Sequence, residues 1–179
     1  MNPAPNLVLV GPMGAGKSSI GRRLAELCGL AFVDADRDLE LCTGASIATI
    51  FDCEGEAGFR ARESATLARL LAGSDQLIAT GGGAVLDAGN RALLRRRGFV
   101  VHLSLDVDGQ LQRLARDRAR PLLQRPDREQ VLRALATQRA PLYAEVADLV
   151  FDTAGCTPGD AARALAGRLQ AVWTRGAAA

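Results

Sequence analysis

Residues 11–18, which read GPMGAGKS, have the types and the spacing that hold the phosphates of a nucleotide. They match the pattern G-x-x-x-x-G-K-[ST] of phosphate-binding loops. Glycines let the backbone N–H groups of residues 14–18 point into one anion-sized hollow. Lys17 would then reach the β- and γ-phosphates, and the Ser18 hydroxyl would ligate Mg²⁺. These residues therefore predict a site for a nucleoside triphosphate and its metal ion.

Lys17 is the only lysine among the 22 basic side chains. A sequence that uses arginine for every other cation keeps lysine where a compact point charge is required. The alternative is a chance glycine-rich turn, which explains neither the lysine nor the strand and helix patterns on either side of the loop. We therefore favour a genuine phosphate loop.

Other side chains could bind the molecule that accepts a phosphoryl group. Asp34 and Asp36 follow one predicted strand, and the three glycines at 81–83 follow another. Ligand crevices of α/β proteins lie at such strand ends. Arg60 and Arg139 are isolated arginines among apolar or small residues, and a guanidinium binds a carboxylate in a bidentate manner. The residues alone thus predict a kinase for a small anionic molecule.

The elements that must position these residues alternate between short apolar strands and helices. The phosphate loop lies between a strand at 6–10 and a helix at 19–28, and further strands are predicted at 30–34, 77–80, 99–103 and 149–152. This alternation predicts a single α/β domain built on one parallel sheet. The other helices are expected at 37–43, 47 to about 51, 55–71, 88–97, 107 to about 117, 127–147 and 160–173. Three of them have predicted N-caps, which are Ser46, Asp87 and Asp106. A break or kink is expected near Pro141, and the tail at 176–179 is expected to fray.

Some of the candidate binding residues have simpler explanations. Asp36 could cap the helix that follows it, although a second acid already ends the strand. Arg60 could be a surface residue paired with Glu56 or Glu63, which lie one helical turn away. Spacing alone favours that pairing for Arg60, and for Arg139 it leaves a binding role and a solvent-exposed helix position about equally supported.

Three further features are assigned mainly to structure. The arginine-rich stretch at 116–126 lies between helices and suits a mobile lid over the phosphates. Phe51 and Phe59 are expected in the core beneath the acceptor site, not in contact with the acceptor. His102, alone inside an apolar strand, is expected to be structural and not catalytic.

Composition excludes several classes of protein. A net charge of +2 and an arginine-rich stretch without interleaved aromatic residues argue against nucleic-acid binding. We expect a cytoplasmic protein, because residues 1–5 carry no basic side chain and no apolar run suits a signal peptide or a membrane span. The four cysteines form no C-x-x-C pair and His102 is the only histidine, so no zinc site is expected. The acids at 34–38 lack the glycine and the glutamate of a calcium loop.

Six blocks of the sequence together resemble the shikimate kinase family. They are GPMGAGKSS at 11–19, D-x-D at 34–36, FDxEGExGFRxRE at 51–63, ATGGG at 79–83, RPLL at 120–123 and RxPLYxExA at 139–147. The match runs in order from about residue 6 to residue 152. The resemblance implies a five-stranded, doubly wound parallel sheet flanked by helices, of the nucleoside monophosphate kinase type. It also implies one domain over 1–179, with a shikimate-binding subdomain at 34–62 and a lid at 113–126.

The resemblance further implies an activity and its residues. A shikimate kinase uses ATP to phosphorylate the 3-hydroxyl of shikimate, giving shikimate 3-phosphate and ADP in chorismate and aromatic amino acid biosynthesis. Carried over by position, the catalytic residues would be Lys17, Asp36 and Arg120, the last moving with the lid onto the γ-phosphate. The ATP phosphates would be held by Gly14, Ala15, Gly16, Lys17, Ser18, Ser19 and Arg120. Shikimate would meet Asp36 through its hydroxyl, Arg60 and Arg139 through its carboxylate, and the Gly82 backbone.

The metal ligands follow from the same resemblance, and two rival functions stay open. The resemblance implies that Ser18 binds Mg²⁺ directly and Asp34 through water, and we expect a monomer with no membrane partner. The adenine contacts near 155–158 stay open, because that segment does not match the family firmly. One rival is a kinase for another small polyol acid such as gluconate. The other rival is a regulatory nucleotide-binding domain without catalysis, against which the presence of Asp36 and Arg120 argues.

Overall fold

A five-stranded parallel sheet forms the centre of the fold, and its middle strand leads into the phosphate loop. The computed structural model describes residues 2–115 and 127–176. The strands are β2 (Asn6–Val10), β3 (Ala31–Asp34), β4 (Gln76–Ala79), β5 (Gly98–Ser104) and β6 (Leu149–Asp152), in the spatial order β3-β4-β2-β5-β6. All neighbours run parallel. The strand order reverses at β2, and sheets of this kind bind ligands beyond the carboxyl ends of the strands at that point.

Helices cover both faces of the sheet because alternate residues of each strand point to opposite faces. Leu7 and Leu9 belong to the core on one face of the sheet, whereas Val8 and Val10 belong to the core on the other face. Both faces are apolar, as expected for a parallel sheet buried on each side. The helices are α1 (Lys17–Cys28), α2 (Ala35–Thr43), α3 (Ile47–Ala72), α4 (Ala88–Arg97), α5 (Val107–Arg113), α6 (Arg128–Val146) and α7 (Pro158–Val172).

The predicted strands and the predicted N-caps are confirmed. The side chain of Asp87 accepts a bond from the Asn90 amide at 2.8 Å, and that of Asp106 accepts one from the Gly109 amide at 2.7 Å. Ser46 caps α3 in the same way at 3.1 Å. Each cap satisfies an amide that the first turn of its helix leaves unpaired.

The predictions for helices α5, α3 and α6 have different outcomes. Helix α5 ends at Arg113, well before residue 117, because Leu114 leaves helical geometry and packs against Leu132. The prediction of separate helices at 47–51 and 55–71 is confirmed, because α3 consists of two helical segments that meet at a kink at Gly55, where φ is 68°. Helix α6 continues through Pro141, so the helix is not broken there.

The two ends of the chain pair with each other, which the sequence patterns did not predict. Strand β1 (Asn2–Ala4) runs parallel to β7 (Trp173–Arg175), and the Trp173 indole N–H donates to the Ala4 carbonyl oxygen at 3.2 Å. The Gly176 amide also donates to that oxygen, at 3.1 Å, so the expected fraying does not include Gly176. Residues 177–179 lie outside the described part of the chain. Within residues 2–115 and 127–176, no helix has the length and apolar character needed to cross a membrane.

Candidate active site

The phosphate loop connects β2 to the first turn of α1. Gly14 and Gly16 have φ values of 82° and 89°, in the left-handed region where a side chain would be strained. The loop therefore wraps tightly and presents its amides beside the start of α1, where the helix dipole favours an anion. The Lys17 ammonium lies over the loop and donates to the carbonyl oxygens of Gly11 and Pro12, each at 2.8 Å. Ala15 is fully buried beneath.

Ser18 and Asp34 meet although they lie on different elements. The Ser18 hydroxyl donates to Asp34 Oδ2 at 2.5 Å, and Asp34 Oδ1 accepts the Arg37 amide at the start of α2 at 3.3 Å. This contact forms because β3 ends at Asp34, at the same edge of the sheet as the phosphate loop. A hydroxyl and a carboxylate held together form a hard-oxygen donor set, which is the kind that Mg²⁺ prefers.

The triple glycine after β4 lies directly against three predicted binding side chains. A Cβ atom on Gly81 would stand 2.9 Å from Asp36 Oδ1, and one on Gly83 would stand 2.5 Å from an Arg60 nitrogen. On Gly82 the nearest atom would be an Arg139 nitrogen, at 3.4 Å. None of these glycines has a positive φ. The three positions therefore lack side chains to make space, so that the backbone can approach Asp36, Arg60 and Arg139 closely.

Arg60 makes the ion pairs that its spacing allows and still faces the cleft. Its guanidinium is 2.7 Å from Glu63 Oε2 and 3.5 Å from Glu56 Oε1. Glu63 is only 4% exposed, so this carboxylate needs the arginine to offset its desolvation. Among the described residues, Arg60 Nε, Glu63 Oε1 and Arg139 Nε are buried without a hydrogen-bond partner. Buried polar atoms normally have partners, so these three atoms leave hydrogen-bonding capacity unused in residues that line the cleft.

One cleft of about 490 Å³ collects these groups. Its walls include every described residue of the predicted site except the buried Ala15. Arg120 lies outside the described residues, as does most of the predicted lid, of which only 113–115 are described. The predicted site residues that line the cleft are Gly14, Gly16, Lys17, Ser18, Ser19, Asp34, Asp36, Arg60, Gly82 and Arg139.

Two charged residues of the cleft were missed by the sequence analysis. Glu63 was considered only as a surface partner of Arg60, although its burial beside Gly81 shows otherwise. Arg113 donates to the Gly14 carbonyl oxygen and to Thr153 Oγ1, each at 3.1 Å, and so joins the phosphate loop to the segment after β6. The sequence marked these two residues only by their positions. Glu63 lies three residues after Arg60, and Arg113 is the first residue of the predicted lid.

The aromatic residues divide between core and cleft. Phe59 is buried with Leu39 and Ile50 in a small separate core, as predicted. Phe51 stacks on Phe59 with ring centroids 4.6 Å apart, but it is 37% exposed and lines the cleft, so its assignment to the core was wrong. The reason is that α3 presents only the Phe59 side of this stack to the small core.

His102 stands behind the phosphate loop and does not line the cleft. Its ring stacks on the Tyr143 ring with centroids 4.8 Å apart. Burial lowers the pKa of His102, and the positive charge of Lys17 lowers it further. The imidazole is therefore neutral at neutral pH and packs as an aromatic ring.

The fold and the cleft define a P-loop kinase, since the central strand, the phosphate loop and α1 lie beside a pocket of opposed carboxylates and arginines. The family model described as "Shikimate kinase" matches residues 13–170. The chain is 61% identical to a shikimate kinase of Stenotrophomonas maltophilia strain K279a over 98% of this chain and 97% of that protein. It is 60% identical to one of Xanthomonas campestris pv. campestris strain 8004 over 97% and 96%.

A solved structure agrees with these sequences. The shikimate kinase of Acinetobacter baumannii in complex with shikimate superposes with a TM-score of 0.90 at 48% identity, covering 94% of each chain. The chain belongs to the shikimate kinase family.

Proposed function

We propose that this protein transfers the γ-phosphoryl group of ATP to the 3-hydroxyl of shikimate, giving shikimate 3-phosphate and ADP. Family membership supports this activity. The observation that carries it is the convergence of Asp36, Arg60 and Arg139 on the triple glycine within the cleft that also holds Lys17. A phosphate site and a site for an acidic alcohol thus share one cleft.

The acceptor is held at two ends. Arg60 and Arg139 approach Gly83 and Gly82 from different helices, and together they bind the shikimate carboxylate through charge-assisted hydrogen bonds. The backbone of Gly82 supplies a further polar contact, since no side chain covers it. Asp36 orients the hydroxyl that attacks and accepts its proton. This arrangement requires an acceptor that carries both a carboxylate and an alcohol.

The metal-binding role is assigned to Ser18 and Asp34. Their 2.5 Å contact places two hard oxygen donors at the phosphate loop, which fits Mg²⁺. The described residues contain no cluster of three or more histidine, cysteine, aspartate or glutamate side chains, so this part of the chain offers no all-protein metal cage. Mg²⁺ usually shares its coordination with phosphates and water, so two protein oxygens are enough for the proposed site. Bound there, the ion would offset the negative charge of the phosphates.

Catalysis then depends on positioning and on charge, with little covalent work by the protein. The loop amides and Lys17 hold the phosphates in place, while Asp36 directs the acceptor oxygen toward the γ-phosphate. Arg120, on the predicted lid, adds positive charge to the transferring group. Closure of the lid excludes water, which would otherwise accept the phosphoryl group.

The domain organisation is part of the same proposal. Residues 34–62 act as a substrate-binding subdomain, an assignment supported by their own core of Leu39, Ile50 and Phe59. Residues 113–126 act as the lid, and its first residue, Arg113, is tied to Gly14 and Thr153. The working unit in this proposal is a monomer.

Steady-state ADP release with different acceptors tests the activity. We expect shikimate to stimulate ADP release in the presence of ATP and Mg²⁺, and quinate and gluconate to stimulate it far less. A protein that binds ATP but responds to gluconate alone would support the rival polyol-acid kinase. A protein that binds ATP without turnover on any acceptor would support the regulatory nucleotide-binding domain.

A further inference from the structure

Tyr143 is the single tyrosine of the chain, and its hydroxyl lies beside Gly82 of the triple glycine. It is on α6, one helical turn after Arg139, and is only 3% exposed. One face of its ring stacks on His102. The His102 ring in turn lies behind the loop, with Cδ2 3.5 Å from the position of a Cβ on Gly11. The ring of Tyr143 is therefore held against the back of the phosphate loop.

The hydroxyl of Tyr143 points the other way, to the acceptor end. It donates to the carbonyl oxygen of Gly82 at 2.6 Å. Burial raises the pKa of Tyr143, while the positive charge of the Arg139 guanidinium acts in the opposite direction. The hydroxyl thus stays protonated at neutral pH. It lies on the same side of Gly82 as Arg139, since a Cβ on Gly82 would stand 3.6 Å from the Tyr143 hydroxyl and 3.4 Å from an Arg139 nitrogen.

The hydrogen bond from Tyr143 to Gly82 restricts a segment that is otherwise free to move. Three consecutive glycines have more backbone freedom than any other tripeptide, so residues 81–83 lose more conformational entropy on ordering. They carry no side chain that could hold them in place. A short hydrogen bond from a buried residue restricts Gly82 to one orientation, and the guanidinium of Arg139 lies directly beside that glycine.

We propose that Tyr143 is a positioning residue for the phosphoryl acceptor, whose hydroxyl holds the Gly82 backbone in its binding arrangement beside Arg139. The inference rests on the proposed function, because Gly82 and Arg139 are the groups assigned to shikimate. Tyr143 is not expected to contact ATP, since neither Gly82 nor Arg139 belongs to the phosphate loop.

The substitution Tyr143→Phe tests this role, because it removes the hydroxyl and keeps the ring that stacks on His102. We expect the KM for shikimate to rise about fivefold, which is the effect of losing one neutral hydrogen bond of about 1 kcal/mol. The KM for ATP should stay within about twofold of the wild-type value. Val146→Ala is the matched control, since Val146 is buried in the same core and on the same helix but has no polar contact. It should lower the melting temperature and leave both KM values unchanged.

The KM values of the two variants either support or overturn the positioning role of Tyr143. A selective rise in the KM for shikimate in Tyr143→Phe, absent in Val146→Ala, supports the positioning role. Unchanged KM values, an equal rise for both substrates, or the same rise in Val146→Ala would overturn it, provided that the wild-type protein phosphorylates shikimate. A wild-type protein that releases no ADP with shikimate would overturn the proposed function and this inference with it.

Discussion

Two arginines of the cleft, Arg60 and Arg139, differ in how far a neighbouring carboxylate neutralises their charge. Arg60 is largely neutralised by Glu63 at 2.7 Å, whereas Arg139 forms no ion pair with another described residue. Arg139 therefore keeps more of its charge for an anionic ligand than Arg60 does. A carboxylate that enters the cleft should accordingly depend most on Arg139.

The substitution Arg139→Ala should show this dependence. We expect the KM for shikimate to rise by about two orders of magnitude, because a bidentate, charge-assisted contact is lost. The KM for ATP should change little in the same steady-state assay. Arg133→Ala is the matched control, since Arg133 lies on the same helix but is exposed and pairs with Glu129 and Asp108. An equal loss of affinity for both substrates in Arg139→Ala would contradict the carboxylate assignment.

At the scale of elements, the site depends on where the parallel strands end. The loops after β2, β3 and β4 all open at the carboxyl edge of the sheet, so residues from three separate stretches meet there. The loop after β4 serves as a floor made only of backbone. Its glycines set how closely α2, α3 and α6 can bring their charged side chains.

Gly83→Ala should therefore impair acceptor binding through space alone. Gly83 has φ −94° and ψ −4°, which alanine tolerates, but the added Cβ would lie 2.5 Å from an Arg60 nitrogen. We expect Arg60 to be displaced and the KM for shikimate to rise severalfold, at a stability cost of about 1–3 kcal/mol.

Gly167→Ala supplies the control for the Gly83 substitution. Gly167 is inside α7, and a Cβ added there would meet no neighbouring side chain or element within 4 Å. Alanine should therefore stabilise the helix by about 0.5–1 kcal/mol. Kinetics and thermal unfolding of both variants provide the measurement. Normal shikimate kinetics in Gly83→Ala would show that the floor tolerates a methyl group.

At the scale of the whole molecule, the chain ends brace the helix that carries the phosphate loop. Arg175 of β7 donates to the carbonyl oxygen of Cys28 at 2.5 Å, at the end of α1 opposite to the loop. A cation at that end also complements the helix dipole. The pairing of β1 with β7 holds this arginine in place, so residues 169 positions apart in sequence support one helix.

Trp173→Phe tests the contribution of this closure to stability. The change removes the indole N–H that donates to Ala4 and keeps an aromatic ring beside Phe99. Losing one partly buried hydrogen bond should cost about 1 kcal/mol and lower Tm by about 2–4 °C. Both KM values should stay unchanged, because Trp173 does not line the cleft. An unchanged Tm in calorimetry would show that the end pairing adds no stability.

The sequence by itself determined the features that depend on local order. The phosphate loop, the five strands, and the caps Ser46, Asp87 and Asp106 follow from short patterns, because each needs only neighbouring residues. The candidate site residues were also identified from the sequence, through motifs whose spacing resembles one family. The break in α3 was predicted as a gap between two helices, because Gly55 interrupts the helical pattern.

Only the tertiary structure decided which distant residues meet. The burial of Glu63, the tie from Arg113 to Thr153, the exposure of Phe51 and the bond from Tyr143 to Gly82 join separate elements. The spacing of apolar residues in the sequence does not predict such contacts, because they depend on strand order and on how the helices pack across the sheet. The same reason explains the missed pairing of the chain ends, whose strands are three residues each and stable only against each other and the core.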